Sequence, residues 1–201
     1  SPEPVTIPIA WQTAVMLGWA GVVIALLLLL GQRVLFVRGL VAQAKPAGES
    51  LMRLLDECHQ TLGVRTPLGM RISPSATSPA VCGLLNPVIL IPQNLTPGLG
   101  KETLRAVLLH ELAHVKRRDL WVNLIQTLLQ IVYFYNPLLW PANAMIRRLR
   151  EKSVDEMVLV AMGGESERYP EVLLRVAKLA FERPALSLRL IGVVESKNAL
   201  K

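Results

Sequence analysis

Two histidines and a glutamate stand close together near the middle of the chain, in the string His110-Glu111-Leu112-Ala113-His114. Histidines at positions i and i+4 of a helix lie on the same face, so both imidazoles can reach one metal ion. A glutamate directly after the first histidine can take a proton from an attacking water. The string therefore predicts a catalytic zinc site with His110 and His114 as ligands and Glu111 as the general base.

A catalytic zinc site needs a third protein ligand and one open position for water. The remaining histidine, His59, lies far upstream beside Cys58, and we interpret it as a residue on the surface of a helix. We therefore expect the third ligand to be a carboxylate from a later helix. Glu151 and Asp155 are four residues apart, so both carboxylates face the same way on a helix.

Of these two carboxylates, Glu151 is the candidate metal ligand, and Asp155 is the candidate acceptor for the free N–H of a ligating histidine. Glu156 points about 100° away on a helix and is the weaker candidate. The alternative is that Glu151 and Asp155 only form ion pairs with basic neighbours, namely Arg147, Arg148 or Lys152.

A zinc enzyme that activates water for attack on a carbonyl also needs a group that stabilises the oxyanion and a surface that holds the substrate. The sequence leaves four candidates for the first role, and they are Arg147, Arg148, Tyr133 and Tyr135. For the second role, Val88–Ile91 is either an edge strand that binds an extended substrate by strand addition or a plain core strand.

The residues that could do this chemistry must be positioned by helices. Apolar residues recur at helical spacing from Leu104 to Arg118, which predicts an amphipathic helix around the two histidines. An apolar stretch from Leu120 to Tyr135 follows, Asn136-Pro137 turns the chain, and Leu138–Arg150 leads back. We expect a helical hairpin, buried or dipping into the membrane interface, whose return arm brings Glu151 level with the histidines.

Upstream of the histidines the pattern predicts a small sheet. Lys45–Ser50 has the composition of a linker, and Leu51–Thr61 is typical of a short helix. The predicted strands are Gly69–Ser73, Ala80–Leu85 and Val88–Pro92, and further helix breaks are expected at Gly163-Gly164 and Pro184. The fold class is therefore α+β and mainly helical.

The N-terminal part of the chain is almost free of charge. Its first 32 residues carry only Glu3, and Ala10–Leu30 is an uncharged run of 21 residues. At 1.5 Å per residue this run spans about 30 Å, the thickness of a bilayer core, and predicts a transmembrane helix. Because Arg33 and Arg38 follow the run and nothing basic precedes it, we expect the cytoplasmic membrane as the location, with the rest of the chain facing the cytoplasm.

Composition excludes several classes of protein. Apolar residues make up 52% of the chain, too many for an intrinsically disordered protein. Two cysteines, Cys58 and Cys82, cannot build a disulfide scaffold and suit a reducing compartment. The net charge of +7 comes from clusters such as Lys116–Arg118 and Arg147–Lys152, without interleaved aromatic residues. We expect these clusters to face the lipid bilayer, and we expect no direct binding of nucleic acid.

Five features of the chain occur together in one known family. They are the predicted transmembrane helix, the strand Pro87–Pro92, the string His110-Glu-Leu-Ala-His-Val-Lys-Arg-Arg-Asp119, the turn Asn136-Pro-Leu-Leu-Trp140 and the later Glu151-x-x-x-Asp155. In this combination, over roughly residues 10–200, the chain resembles the membrane-embedded gluzincin metallopeptidases of the beta-lactam and methicillin antirepressor type, which are antibiotic-sensing signal transducers.

The resemblance implies a zinc endopeptidase domain that is activated from outside and that cleaves itself or, directly or indirectly, a transcriptional repressor. Val154 stands where the family often has Cys, a change that leaves metal binding intact. No Ser-x-x-Lys occurs in the chain, so we expect the penicillin-binding sensor to be replaced or to lie elsewhere in a longer parent. By matching positions, the metal ligands are His110, His114 and Glu151, the catalytic base is Glu111 and the supporting acid is Asp155.

We expect the chain to divide into residues 1–32, the outer end and transmembrane helix, residues 33–49, a cytoplasmic linker, and residues 50–201, a zincin-like (gluzincin) metallopeptidase domain. Two alternatives stay open. One is another membrane gluzincin, of the prenyl-protein or heat-shock quality-control type, and the other is a non-catalytic membrane scaffold. The sequence leaves the oligomeric state, the substrate's cleavage site and the activating signal open.

Overall fold

The structure is a computed structural model that describes residues 10–76, 78–93, 95 and 100–163. It is mainly helical with one small mixed sheet, as the predicted fold class requires. The elements in chain order are α1 (Trp11–Gln43), β1 (Lys45–Pro46), α2 (Glu49–Leu62), β2 (Gly69–Ser73), β3 (Ala80–Cys82), β4 (Val88–Pro92), α3 (Lys101–Lys116), α4 (Asp119–Val132) and α5 (Leu139–Met162).

Helix α1 contains the predicted span and continues well past it. It has 33 residues, or about 50 Å, and its side chains are largely exposed. Within the described residues it is the one helix long and apolar enough to cross a membrane. Residues 33–43, expected to begin a linker, continue the helix, and Lys45–Pro46 form a strand instead of a loop. Local composition did not reveal this strand because its pairing partner, β2, lies more than 20 residues away.

The C-terminal end of α1, which the charge pattern predicts to face the cytoplasm, is attached to the sheet. Val37 and Ala44 are buried in a small apolar cluster together with Cys82 of β3 and Leu90 of β4. The Arg71 guanidinium donates hydrogen bonds to the carbonyls of Val41 and Ala44, at 3.2 and 3.4 Å. These carbonyls belong to the end of a helix, where intrahelical donors run out, so Arg71 caps α1 from the sheet.

The sheet has the strand order β1-β2-β4-β3. β2 and β4 are parallel, while β1 and β3 pair antiparallel with their neighbours. The interpretation of Val88–Ile91 as an edge strand is wrong, because β4 lies between β2 and β3 and its Ile89 and Ile91 are completely buried. The outer strand beside α3 is β3, and it ends at Cys82, before the predicted Leu85.

The early end of β3 has a local cause at Gly83. Its φ is +94°, a backbone conformation that favours glycine, and a Cβ at this position would lie 2.5 Å from the carbonyl oxygen of Asn86. The chain therefore turns out of the sheet at Gly83 and re-enters it at Val88.

Helix α3 is the central element of the core. Its residues from Ala106 to Val115 are all buried, and it packs against α2, α4, α5 and β3. A helix that is covered on every side is expected to be apolar around its circumference, and Leu108, Leu109 and Leu112 are fully buried. Replacing one such leucine by alanine typically costs about 2–5 kcal/mol of stability. The core therefore holds the His110–His114 helix rigidly.

The predicted helical hairpin is present as α4 and α5. Between α3 and α4 only Arg117 and Arg118 lie outside the helices, and Arg118 adopts a left-handed conformation with φ +59°. This tight reversal places Asp119 at the start of α4 beside the end of α3. Helix α5 runs back without a break until Gly163, whereas the other predicted breaks, Gly164 and Pro184, lie outside the described residues.

Candidate metal centre

His110, His114 and Glu151 come together on one point between α3 and α5. One ligand atom from each lies within 4.8 Å of the others. The two Nε2 atoms are 3.3 Å apart, and the Glu151 carboxylate oxygens lie 3.7 Å from His110 Nε2 and 3.8 Å from His114 Nε2. Two ligands about 2.1 Å from a tetrahedral zinc are about 3.4 Å apart. The spacing of the three donors therefore fits one zinc ion.

Each histidine turns its other ring nitrogen to a carboxylate. His110 Nδ1 lies 3.3 Å from Asp155 Oδ1, and His114 Nδ1 lies 2.8 Å from Asp119 Oδ2. A carboxylate at Nδ1 selects the tautomer that carries its proton there, which leaves the Nε2 lone pair available for a metal. The two imidazoles, whose planes make an angle of 75°, are thus each held by a carboxylate with Nε2 turned toward the other ring.

Asp119 is the functional candidate that sequence reasoning missed. It is 2% exposed, and besides His114 it is close to the Arg117 side chain, 3.6 Å away. Its backbone carbonyl accepts a hydrogen bond from Arg150 of α5 at 3.2 Å. The signal in the sequence is a lone acidic residue five positions after His114, directly after the basic run Lys116–Arg118. Its position depends on the left-handed turn at Arg118, which the sequence pattern does not predict.

Glu111 lies on α3 between the two histidines in sequence and is 5% exposed. Its nearest element in the sheet is β3, since α3 contacts β3 and the Glu111 charge acts on Cys82. Burial, with a smaller contribution from Glu111, raises the pKa of the Cys82 thiol to about 12. Cys82 also belongs to the apolar cluster at the end of α1. This residue therefore connects Glu111, the candidate general base, with α1.

Cavities border the candidate centre on two sides. One is lined by charged residues of α5, including Arg148, Glu151 and Asp155. The other lies beside His114 and is mostly apolar, with Thr66, Leu84, Leu85, Pro87, Val115, Arg118, Leu120 and Trp121 as its other lining residues.

The structure places the other candidate residues at very different distances from the centre. Arg148 borders the centre, but Tyr133 ends α4 at the far end of the hairpin, about 21 Å from Asp119 by helix length, and Tyr135 follows it. Neither tyrosine can therefore reach an oxyanion at the centre. The Nε2–H of His59 donates a hydrogen bond to the backbone carbonyl of Thr66 at 2.8 Å. Glu156 pairs with Lys152 at 3.9 Å.

Comparison with known proteins identifies the family. A family model described as "BlaR1 peptidase M56" matches residues 3–201. The "Regulatory protein BlaR1" of Bacillus licheniformis is 30% identical over 132 residues, which are 65% of this chain and 22% of that protein. The "Methicillin resistance mecR1 protein" of Staphylococcus aureus (strain Mu50 / ATCC 700699) is 30% identical over 108 residues, 53% of this chain and 18% of that protein.

The alignments span about a fifth of the length of these relatives. The family model and both relatives confirm the resemblance drawn from the motifs. The family match covers nearly the whole chain, including every residue of the candidate centre. The chain belongs to the BlaR1 peptidase M56 family.

Proposed function

We propose that the chain is a zinc-dependent metalloendopeptidase and the membrane-anchored protease module of a signal-transducing antirepressor. The convergence of His110, His114 and Glu151 beside Glu111 carries this proposal. Two imidazoles and one carboxylate leave a fourth position open, which is typical of catalytic zinc and not of structural zinc. Membership in a peptidase family supports the same conclusion.

His110, His114 and Glu151 would hold a zinc ion, which would supply an activated water and polarise the carbonyl of the scissile peptide bond. Glu111 accepts the proton of the attacking water and delivers it to the amine that leaves. Asp119 and Asp155 hold the two histidines in the required tautomer and orientation. Arg148, which lines the cavity next to Glu151, is the cation that we assign to stabilising the oxyanion.

The substrate is an extended polypeptide. β3 is the outer strand of the described sheet on the side of α3 and Glu111, so an extended segment can add to it through main-chain hydrogen bonds. The apolar cavity beside His114 then takes a bulky apolar side chain next to the cleaved bond. The words "regulatory" and "methicillin resistance" in the relatives' names favour a regulatory target, which is the chain itself or a transcriptional repressor.

The module is anchored by α1 in the cytoplasmic membrane and faces the cytoplasm. Arg33, Arg38 and Lys45 follow the uncharged run, and no basic residue precedes it. The division into an anchor over residues 1–32 and a zincin-like peptidase domain over residues 50–201 belongs to this proposal. Residues 33–49 then form the helical and β connection between the two and not a loose linker.

Zinc analysis of the purified chain tests the metal site. Elemental analysis should find one zinc per chain, and His110→Ala, His114→Ala or Glu151→Ala should each abolish stoichiometric binding. Two variants serve as matched controls and should keep the metal. They are Glu156→Ala, on α5 like Glu151, and His59→Ala, on the neighbouring helix α2. If zinc is retained in Glu151→Ala and lost in Glu156→Ala, the third ligand is Glu156 and not Glu151.

The substitution Glu111→Gln tests the reaction itself. It preserves the size of the side chain and the three ligands, so the variant should fold and bind zinc. Cleavage by the full-length parent in membranes, under activating conditions, should fall by at least about 10²–10⁴-fold because the base is lost. Cleavage at the wild-type rate would contradict this role and favour the non-catalytic scaffold.

A further inference from the structure

The hairpin of α4 and α5 contains a long segment without charge. From Leu120 to Ile146, 27 residues carry no acidic, basic or histidine side chain. Charged residues return at both ends of this segment, with Arg117 and Arg118 before it and Arg147 and Arg148 after it. Because the two arms are antiparallel, both basic pairs lie at the same end of the hairpin, the end at the metal centre.

The apolar side chains of this hairpin point outward. A water-soluble hairpin buries its apolar face, whereas here the large apolar residues of both arms are exposed and form an apolar outer surface. The exposed residues are Trp121, Val122, Ile125, Leu128, Leu129 and Val132 of α4 and Trp140, Met145, Ile146 and Leu149 of α5.

The polar side chains of the hairpin point inward and satisfy one another. Gln126 donates to the side-chain oxygen of Asn143 at 3.2 Å, and Asn143 donates to that of Gln130 at 3.3 Å. The Thr127 hydroxyl donates to the carbonyl of Asn123 on its own helix at 2.8 Å. Polar groups that are paired between helices, under an apolar exterior, are typical of helices surrounded by lipid.

The tip of the hairpin lies against α1 at Trp19, near the middle of the uncharged run Ala10–Leu30. The Trp19 indole N–H donates a hydrogen bond to the carbonyl of Val132, the last residue of α4, at 3.1 Å. Trp19 is 14 residues before Arg33, or about 21 Å along α1, and α4 also has 14 residues and the same length. The base of the hairpin is therefore level with Arg33, where the uncharged part of α1 ends.

We propose that α4 and the first half of α5 form a re-entrant hairpin whose outer face contacts lipid acyl chains. It enters and leaves the bilayer on the side of Arg33 and reaches about 21 Å into a core of about 30 Å, so it does not cross. The basic pairs at its base meet anionic lipid headgroups. The centre of His110, His114 and Glu151 then lies at the membrane surface, where a membrane-proximal segment can reach it.

Cysteine labelling in sealed vesicles of both orientations tests the topology. Leu138→Cys is placed at the exposed tip, and Gln60→Cys, on the exposed face of α2, marks the side of the metal centre. An impermeant maleimide should modify Gln60→Cys from one side and Leu138→Cys from neither. Labelling of Leu138→Cys from the side opposite to Gln60→Cys would mean a complete crossing. Labelling from the same side would mean a hairpin in water, and either result overturns the proposal.

Quenching by brominated lipids identifies what covers the hairpin. In phosphatidylcholine–phosphatidylglycerol vesicles, single-tryptophan variants that keep Trp140 should be quenched by deep bromines, and those that keep Trp121 by shallow bromines. A variant that keeps only Trp19 shows that α1 is inserted. If Trp19 is quenched and Trp140 is not, the face is covered by a second copy or by other protein, and the proposed lipid contact is wrong.

Discussion

At the scale of single residues, the candidate centre is a pair of histidines oriented by two acids. The 2.8 Å contact of Asp119 with His114 is shorter than the 3.3 Å contact of Asp155 with His110. Asp119 is also buried, while the Asp155 side chain is 37% exposed. A buried, short contact constrains an imidazole more strongly than a partly solvated one, so the two acids should differ in importance.

We predict that Asp119→Asn weakens zinc binding by about 10–100-fold and that Asp155→Asn weakens it less. The amide keeps the shape of the side chain but removes the charge that supports His114. Competition with a chromophoric zinc chelator measures the affinity, and thermal unfolding of the metal-free variants controls for a general loss of structure. Equal zinc affinities of Asp119→Asn and wild type would mean that Asp119 does not support the metal centre.

The two cysteines are both buried and free. Burial is the largest cause that raises the pKa of the Cys58 thiol from 9.0 to about 11, and that of Cys82 from 9.0 to about 12. At pH 8 the thiolate fractions are then about 100-fold and about 1000-fold lower than for an ordinary cysteine. The protonated thiols are favoured by folding, so their stabilising contribution is present below pH 9 and is lost as the pH rises through 11–12.

We predict that native Cys58 and Cys82 react with iodoacetamide at pH 8 at least 100-fold more slowly than the same residues in denaturant. Mass spectrometry of the alkylated peptides measures both rates. Fast modification of Cys82 in the folded chain would show that β3 and the end of α1 separate readily.

At the scale of elements, the α3–α4 turn connects the helix of His110 and His114 to the hairpin. Arg118 is held there with φ +59°, a conformation that costs about 1–2 kcal/mol for a residue with a Cβ. The core packing of α3 and the contacts of Asp119 with His114 and with Arg150 of α5 hold the turn in place.

We predict that Arg118→Gly keeps the zinc affinity and the thermal stability close to wild type, because glycine adopts this conformation without strain. Arg118→Val should lower the stability by about 2 kcal/mol and weaken zinc binding, because a β-branched residue disfavours positive φ and displaces Asp119. Thermal unfolding and the chelator assay measure the two effects. Similar behaviour of both variants would mean that the turn does not position Asp119.

At the scale of the whole molecule, α1 connects the apolar run of the chain with the sheet beside the candidate centre. The C-terminal end of α1 is capped by Arg71 and shares an apolar cluster with Cys82, whose pKa is raised in part by the charge of Glu111. For the proposed membrane anchor, the charge distribution predicts which side of the membrane carries the candidate centre. All basic residues of the chain follow Gln32.

We predict that an impermeant maleimide added to intact cells modifies Ala10→Cys, at the start of α1, and leaves Gln60→Cys unmodified. Both positions are exposed, so they form a matched pair. Permeabilised cells should show modification of both. Labelling of Gln60→Cys in intact cells would mean that the orientation is the opposite of the predicted one.

The sequence alone determined the features that depend on neighbouring residues. The i, i+4 spacing of His110 and His114, the helix that carries them, the strands Gly69–Ser73 and Val88–Pro92 and the uncharged run in α1 follow from local periodicity, and the structure contains each of them. The chemistry proposed for the centre also comes from such local patterns, since residue type and spacing define which donors can face one point.

Only the tertiary structure decided what depends on distant parts of the chain. Strand order is set by long-range pairing, so β4 could be placed inside the sheet and β3 at its edge only from the assembled fold. The left-handed turn at Arg118 is imposed by the packing around it, and with it the approach of Asp119 to His114. The contact of Trp19 with Val132 joins residues 113 positions apart, a separation that no local pattern can encode.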